Sequence, residues 1–193
     1  MIGKPHTLYA AAMERILWRY CKRHFDKSLG PEHGPQHWKR VRAFGEILCD
    51  KNPNADRTVT RAFACLHDIM RHNNLDDPEH GVRAAALVKR LRWTLLSYMN
   101  SEQLYCLYEA CRIHSQEKHC ISEIRRDYPD ARNCGNPTVD ACIDADRLDL
   151  LRCGIFPDPY RMCTMEGAEL AARVDYNEAV WQCVNNMCSD EKA

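Results

Sequence analysis

Residues 56–71 read DRTVTRAFACLHDIMR. Val59, Phe63 and His67 lie four apart, so on a helix they share one face. That face is apolar, which turns His67 inward with Asp68 beside it. Burying an imidazole or a carboxylate without a partner costs roughly several kcal/mol or shifts its pKa until it is neutral. A hydrogen-bond network, a salt bridge or a metal ion must compensate. Adjacent helical residues differ in direction by about 100°. His67 and Asp68 therefore cannot share one stripe, but near a helix end both can reach an ion lying between their directions.

Working outward, the chain predicts helices throughout. Period-2 alternation is weak and β-branched residues are scattered, so strands are not expected. A first helix is predicted near 6–25, with Leu8, Ala12, Ile16, Leu17 and Tyr20 on one face. KSLGPEHGP (27–35) is a loop, and Pro35 suits the first turn of a second helix near 35–50. NPNADR breaks the chain before the third helix, 56–71. Asp77-Pro78 reads as a cap and first turn for a fourth, near 78–93. Ser101 with Gln103 starts a fifth, 101–114. The polar stretch 115–136 reads as loop with some helix. Pro137 opens a sixth helix that ends at Gly154, and Thr164 caps a last helix carrying the tail. The expected fold is an all-α, single-domain helical bundle.

Composition narrows the function. The chain has 193 residues, with 27 Lys+Arg against 27 Asp+Glu. Zero net charge argues against nucleic-acid or membrane-surface binding driven by bulk charge. No apolar run approaches the ~20 residues needed to cross a bilayer. Glu14 and Arg15 interrupt the apolar N-terminal stretch, so it is not read as a signal peptide. A cytoplasmic protein is expected. The twelve cysteines are spread without any C-x-x-C pair, and are read as small buried thiols rather than a disulfide framework or a zinc site.

The pattern at His67 recurs. Inward stripes are His37, Val41, Phe44, Leu48 on the second helix and His80, Ala84, Leu87, Leu91 on the fourth. On the fifth they are Leu104, Leu107, Cys111, His114, and on the sixth Val139, Ile143 or Cys142, Asp146, Leu150. One such histidine is ordinarily a hydrogen-bonded core residue. Five helices each ending an apolar stripe in an N or O ligand suit a transition-metal site inside a bundle, if the ends converge.

The order His…His-Asp…Asp on helices resembles the HD-domain superfamily of metal-dependent phosphohydrolases. The matching segments are HGPQHWKRV (33–41), LHDIMR (66–71) and DADRLDL (144–150). The resemblance covers about 33–164, leaving 1–26 and 165–193 as flanking helices. It implies His37, His67, Asp68 and Asp146 as ligands, with Asp144 competing for the last place. DPEHGVRAA (77–85) and EACRIHS (109–115) resemble family members with two metals, which implies His80 and His114 as further ligands. The Gly-Tyr-Pro element of cyclic-di-GMP phosphodiesterases in this superfamily is absent, which speaks against that substrate.

The resemblance implies a phosphohydrolase or phosphodiesterase that acts on a nucleotide or other small phosphate ester through a metal-activated hydroxide. Asp68 is expected to bridge two ions. Mixed N/O ligands suit Fe, Mn, Co, Ni or Zn better than Mg²⁺. Arg71, one turn past His67, is the expected catalytic and substrate-binding cation. His33, Arg147, Lys39 and Arg40 are further candidates for holding substrate. Two other readings stay open: an HD-type mixed-valent di-iron oxygenase using O₂, and a non-catalytic nucleotide-binding protein.

Overall fold

The computed structural model describes residues 5–115, 135–173 and 181. The predicted 115–136 loop (beyond Ser115 and Gly135–Asn136), His119 and most of the C-terminal tail lie outside the described residues. The described part is all-α: α1 Pro5–His24, α2 Pro35–Lys51, α3 Arg57–Leu66, α4 His80–Leu91, α5 Ser101–Ile113, α6 Pro137–Leu148 and α7 Met165–Ala172. Short 3₁₀ turns occupy Lys27–Leu29, Asp149–Cys153 and Pro159–Arg161. Among the described residues no strand occurs and no helix is long and apolar enough to cross a membrane.

Local chemistry explains the starts. Asp56 accepts from Thr58 N and Val59 N, and Asn136 accepts from Thr138 N and Val139 N ahead of Pro137. Each satisfies donors that the first helical turn leaves unpaired. Asn100 caps α5 in a reciprocal capping box with Gln103, one residue before the predicted start. Thr164 caps α7 through Gly167 N.

Four expectations need correction. α3 stops at Leu66 rather than at 71, because the chain bends at His67. α4 begins at His80 rather than 78. Asp77 does not cap it; its carboxylate instead accepts from His72 N and Arg83 Nη2. α6 ends at Leu148, and residues 149–153 continue as a 3₁₀ turn closed by Gly154 at φ 72°. On α1, Leu8 and Ile16 are exposed, and the buried side is Leu17 and Cys21, which lie four apart.

α3 is the centre of the packing, touching α1, α2, α5 and α6. Trp38, Phe44, Leu48, Phe63, Leu66, Leu107 and Leu148 are essentially inaccessible around it. α4 packs on α5 and α2 on α6. Gly81 sets the α4–α5 distance: a Cβ there would lie 2.5 Å from the Cys111 carbonyl oxygen and 2.6 Å from Ser115 Oγ. Only glycine permits that approach. Cys21, Cys49, Cys65, Cys106, Cys111 and Cys142 are buried free thiols.

Candidate metal centre

The ends of the central helices meet at one point. α2 brings His37, the end of α3 brings His67 and Asp68, the start of α4 brings His80, the end of α5 brings His114, and α6 brings Asp146. The groups His37–His67–Asp146 and His67–Asp68–His114 each offer ligand atoms all within 4.8 Å of one another, and such clusters could hold a metal ion.

The bend after Leu66 answers how His67 and Asp68 work together. His67 Nδ1 and its backbone N–H both donate to the Phe63 carbonyl, at 3.1 and 3.0 Å. The ring stacks on Phe63 at 4.8 Å between centroids. Beyond this cap the helix no longer dictates a 100° step, so Asp68 faces the same space.

Each imidazole is fixed from behind by an acceptor on Nδ1. His37 donates to Asp149 Oδ2 at 2.7 Å, His80 to the Asp77 carbonyl at 2.5 Å, and His114 to the Cys111 carbonyl at 2.7 Å. Carbonyl and carboxylate oxygens only accept, so Nδ1 carries the hydrogen and Nε2 presents its lone pair. Those Nε2 atoms face each other in two pairs. His37 and His67 are 2.9 Å apart, and His80 and His114 are 2.9 Å apart. Two lone pairs at that distance repel unless a proton or a metal ion lies between them.

Asp68 addresses both pairs. Its Oδ2 is 3.6 Å from both His37 Nε2 and His67 Nε2. Its Oδ1 is 3.0 Å from His80 Nε2 and 3.7 Å from His114 Nε2. Asp146 Oδ1 serves the first pair, at 3.3 Å from His37 Nε2 and 3.7 Å from His67 Nε2. It is buried and has no hydrogen-bond partner among the described residues. Orphaned carboxylate oxygens are rare in protein interiors, and a cation shared with the two imidazoles is the partner this geometry fits.

Electrostatics agree with the layout. Burial alone would raise Asp68 and Asp146. The imidazoles around both, and Arg152 beside Asp146, outweigh it and hold both well below the usual carboxylate range. Burial pushes His67 down to about 3. Burial and Arg152 push His37 the same way, but the facing Asp146 carboxylate and the hydrogen bond to Asp149 outweigh them and raise it.

Asp144, the competitor of Asp146, is placed elsewhere. It accepts from Cys163 N, Thr164 N and Thr164 Oγ1 at 2.7–2.8 Å, which ties α6 to the start of α7. Arg147 donates to the Arg161 carbonyl and is not part of the site. Lys39 is two residues from His37, about 200° around the helix, and does not line the cleft. Arg40 donates Nε to Asp149 Oδ1 at 2.7 Å, behind His37 rather than in front of it. His33 is buried in the loop before α2 and donates Nδ1 to Asp68 Oδ2 at 2.8 Å. It orients that carboxylate and does not line the cleft. His24 and His72 lie outside the cluster.

A cleft of about 320 Å³ opens onto the centre. Asp68, His80, His114 and Asp146 form its floor, and Arg71 and Arg152 stand in its wall. Arg71 is held by the Leu75 carbonyl at 2.8 Å and lies 3.7 Å from Asp68 Oδ1.

Sequence reasoning missed Asp149 and Arg152. Asp149 follows Asp146 by three residues, a spacing that could have marked it as facing the same way. Arg152 was hidden by the assumption of a continuous helix to Gly154. In a 3₁₀ turn residues three apart eclipse, which sets Arg152 in line with Asp149.

Compared with known proteins, the chain matches no family model, no curated protein and no solved structure.

Proposed function

We propose that this chain is a metal-dependent phosphohydrolase of the HD type with a binuclear centre. The observation that carries the reading is the doubled geometry: two facing Nε2 pairs, with one Asp68 oxygen turned to each. His37, His67 and Asp146 would hold one ion, His80 and His114 the other, and Asp68 would bridge them. The mixed N/O set suits Fe, Mn, Co, Ni or Zn. Bound there, the ions supply Lewis acidity, lowering the pKa of a water and polarising a phosphoryl oxygen.

Charge supports an anionic substrate. Asp68, Asp146 and Asp149 are matched in number by Arg40, Arg71 and Arg152 around the centre. With neutral imidazoles the shell is balanced before any ion enters. Two divalent ions would make it strongly positive, and a hydroxide with a phosphate dianion would cancel most of that charge. Arg71 would neutralise oxygens of the phosphoryl group at the Asp68 side of the cleft. The cleft volume lies at the low end for ligand sites, which fits a small phosphate ester or a mononucleotide.

The test is metal content per chain, measured by elemental mass spectrometry on protein purified without a chelating column, beside a panel of phosphate esters. About two ions and turnover of at least one ester are expected. Absence of metal after reconstitution, or iron with O₂ consumption and no ester hydrolysis, would overturn the proposal.

A further inference from the structure

Arg152 is an unusual cation. Its side chain is only 8% exposed, yet its contacts leave much of the guanidinium unused. Nε donates to the Glu32 carbonyl at 2.8 Å, which fixes the stem against the loop before α2. Nη2 stands 3.5 Å from Asp146 Oδ1. Nη1 is buried and without a hydrogen-bond partner among the described residues. Its nearest carboxylate oxygen, Asp149 Oδ2, is 3.8 Å away and already accepts from His37, while Oδ1 accepts from Arg40. Asp149 therefore has no need of Arg152.

Asp146 is the remaining counter-ion, and it is the carboxylate placed to ligate an ion. An ion taking Asp146 Oδ1 draws off the charge that faces Arg152. A buried guanidinium then confronts a positive centre across the cleft wall, which is stable only if an anion joins them.

We propose that Arg152 is a substrate-binding residue whose guanidinium donates to a phosphoryl oxygen at the Asp146 side of the cleft, opposite Arg71. The two guanidiniums hold one phosphoryl group from two sides, and planar N–H forks suit that geometry. The substrate is thus a compound with a terminal phosphoryl group small enough to be gripped on both flanks. This assignment rests on the phosphohydrolase reading above.

Inorganic phosphate is the probe. Its binding to metal-loaded wild type, Arg152→Gln and Arg152→Lys is measured by titration calorimetry, with metal content and ester hydrolysis followed in the same preparations. Arg152→Gln is expected to keep its metal and bind phosphate at least tenfold more weakly, with KM for an ester rising in step. Arg152→Lys, which keeps the charge without the fork, falls between the two. Phosphate binding by Arg152→Gln equal to wild type, while wild type hydrolyses esters, overturns the role of Arg152 and leaves the hydrolase reading standing. Loss of metal from both variants overturns it as well, because Arg152 would then act by holding Asp146. A metal-loaded wild type that neither binds phosphate nor hydrolyses any ester removes both proposals together.

Discussion

Asp149→Asn is the sharpest perturbation of the centre, because the changed residue touches no candidate ligand atom. Asp149 is fully buried, accepting from His37 Nδ1 on one oxygen and from Arg40 Nε on the other, both at 2.7 Å. Asparagine offers one oxygen and one NH₂. If the oxygen stays with Arg40, the NH₂ group faces His37 Nδ1, which must become an acceptor. The hydrogen then moves to Nε2, where the lone pair toward His67 used to be. If the oxygen serves His37, Arg40 is left beside an amide donor. Losing the partner behind a ligating histidine costs about 10–100-fold in metal affinity, or roughly 1.4–2.8 kcal/mol. Breaking a buried ion pair costs about 3–5 kcal/mol. The lower figure applies, since Asn keeps one acceptor. At roughly 2–4 °C per kcal/mol for a chain of this size, the metal-free melting temperature should fall by about 6–12 °C. The assay is metal content after dialysis at fixed free-ion concentrations, with melts of the metal-free protein. One ion should weaken and the other stay. Wild-type affinity for both ions would refute the reasoning.

Gly81→Ala should force α4 away from α5, since its Cβ would meet the Cys111 carbonyl at 2.5 Å. About 1–3 kcal/mol of stability is at stake, and metal content should drop to about one ion; retention of two would refute the idea that Gly81 sets the His80–His114 distance. His67→Ala or Asp68→Ala should strip the metal and abolish activity, and a variant with full metal content would sink the ligand assignment. Metal affinity should rise with pH. His37, whose pKa is raised, cannot ligate while its Nε2 is protonated, so affinity increases about tenfold per pH unit below that pKa and levels off above it. In the metal-free protein His67 works oppositely on stability. Its folded pKa of about 3 lies below the ordinary value, so the unfolded chain binds the extra proton and His67 favours unfolding as pH falls from about 6.5 toward 3. Titration of apparent affinity between pH 5.5 and 8.5 checks the first, and acid melts of metal-free protein check the second.

The helices were legible because their signals are local. Pro35, Ser101 with Gln103, Pro137 and Thr164 punctuate apolar stripes, and α2, α5, α6 and α7 start within a residue or so of where those signals put them. The ends were harder. α3 stops at Leu66, with His67 as its cap still bonded to the Phe63 carbonyl, and no composition signal marks where the helix ends. The side of α1 was misread because Leu8 and Ile16 are apolar yet exposed, while the buried position is taken by the small thiol of Cys21. Stripe reading picked out five of the six candidate ligands, with Asp68 following as the neighbour of His67, but not their separations. Those depend on Gly81 and on the bend at His67, which are properties of packing. His33 and Arg152 reach the centre from a loop and a 3₁₀ turn, where helical periodicity carries no information.

The two halves of the centre are not equivalent, and the difference follows from what stands behind each ring. His37 is backed by a carboxylate that is itself pinned by Arg40, whereas His67, His80 and His114 are backed by carbonyls. A carboxylate behind the ring makes the imidazole more basic and a stronger ligand than a carbonyl does. The first half also has Asp146 to itself, while the second shares only Asp68 and lies in the cleft floor beside Arg71. In the proposed binuclear centre the half with the more basic imidazole and its own carboxylate would hold an ion more tightly than the half beside Arg71. The burial of His67 and Asp68 at the end of α3 is then not a tolerated flaw. In the proposed centre it would set one carboxylate between two imidazole pairs, with one oxygen turned to each.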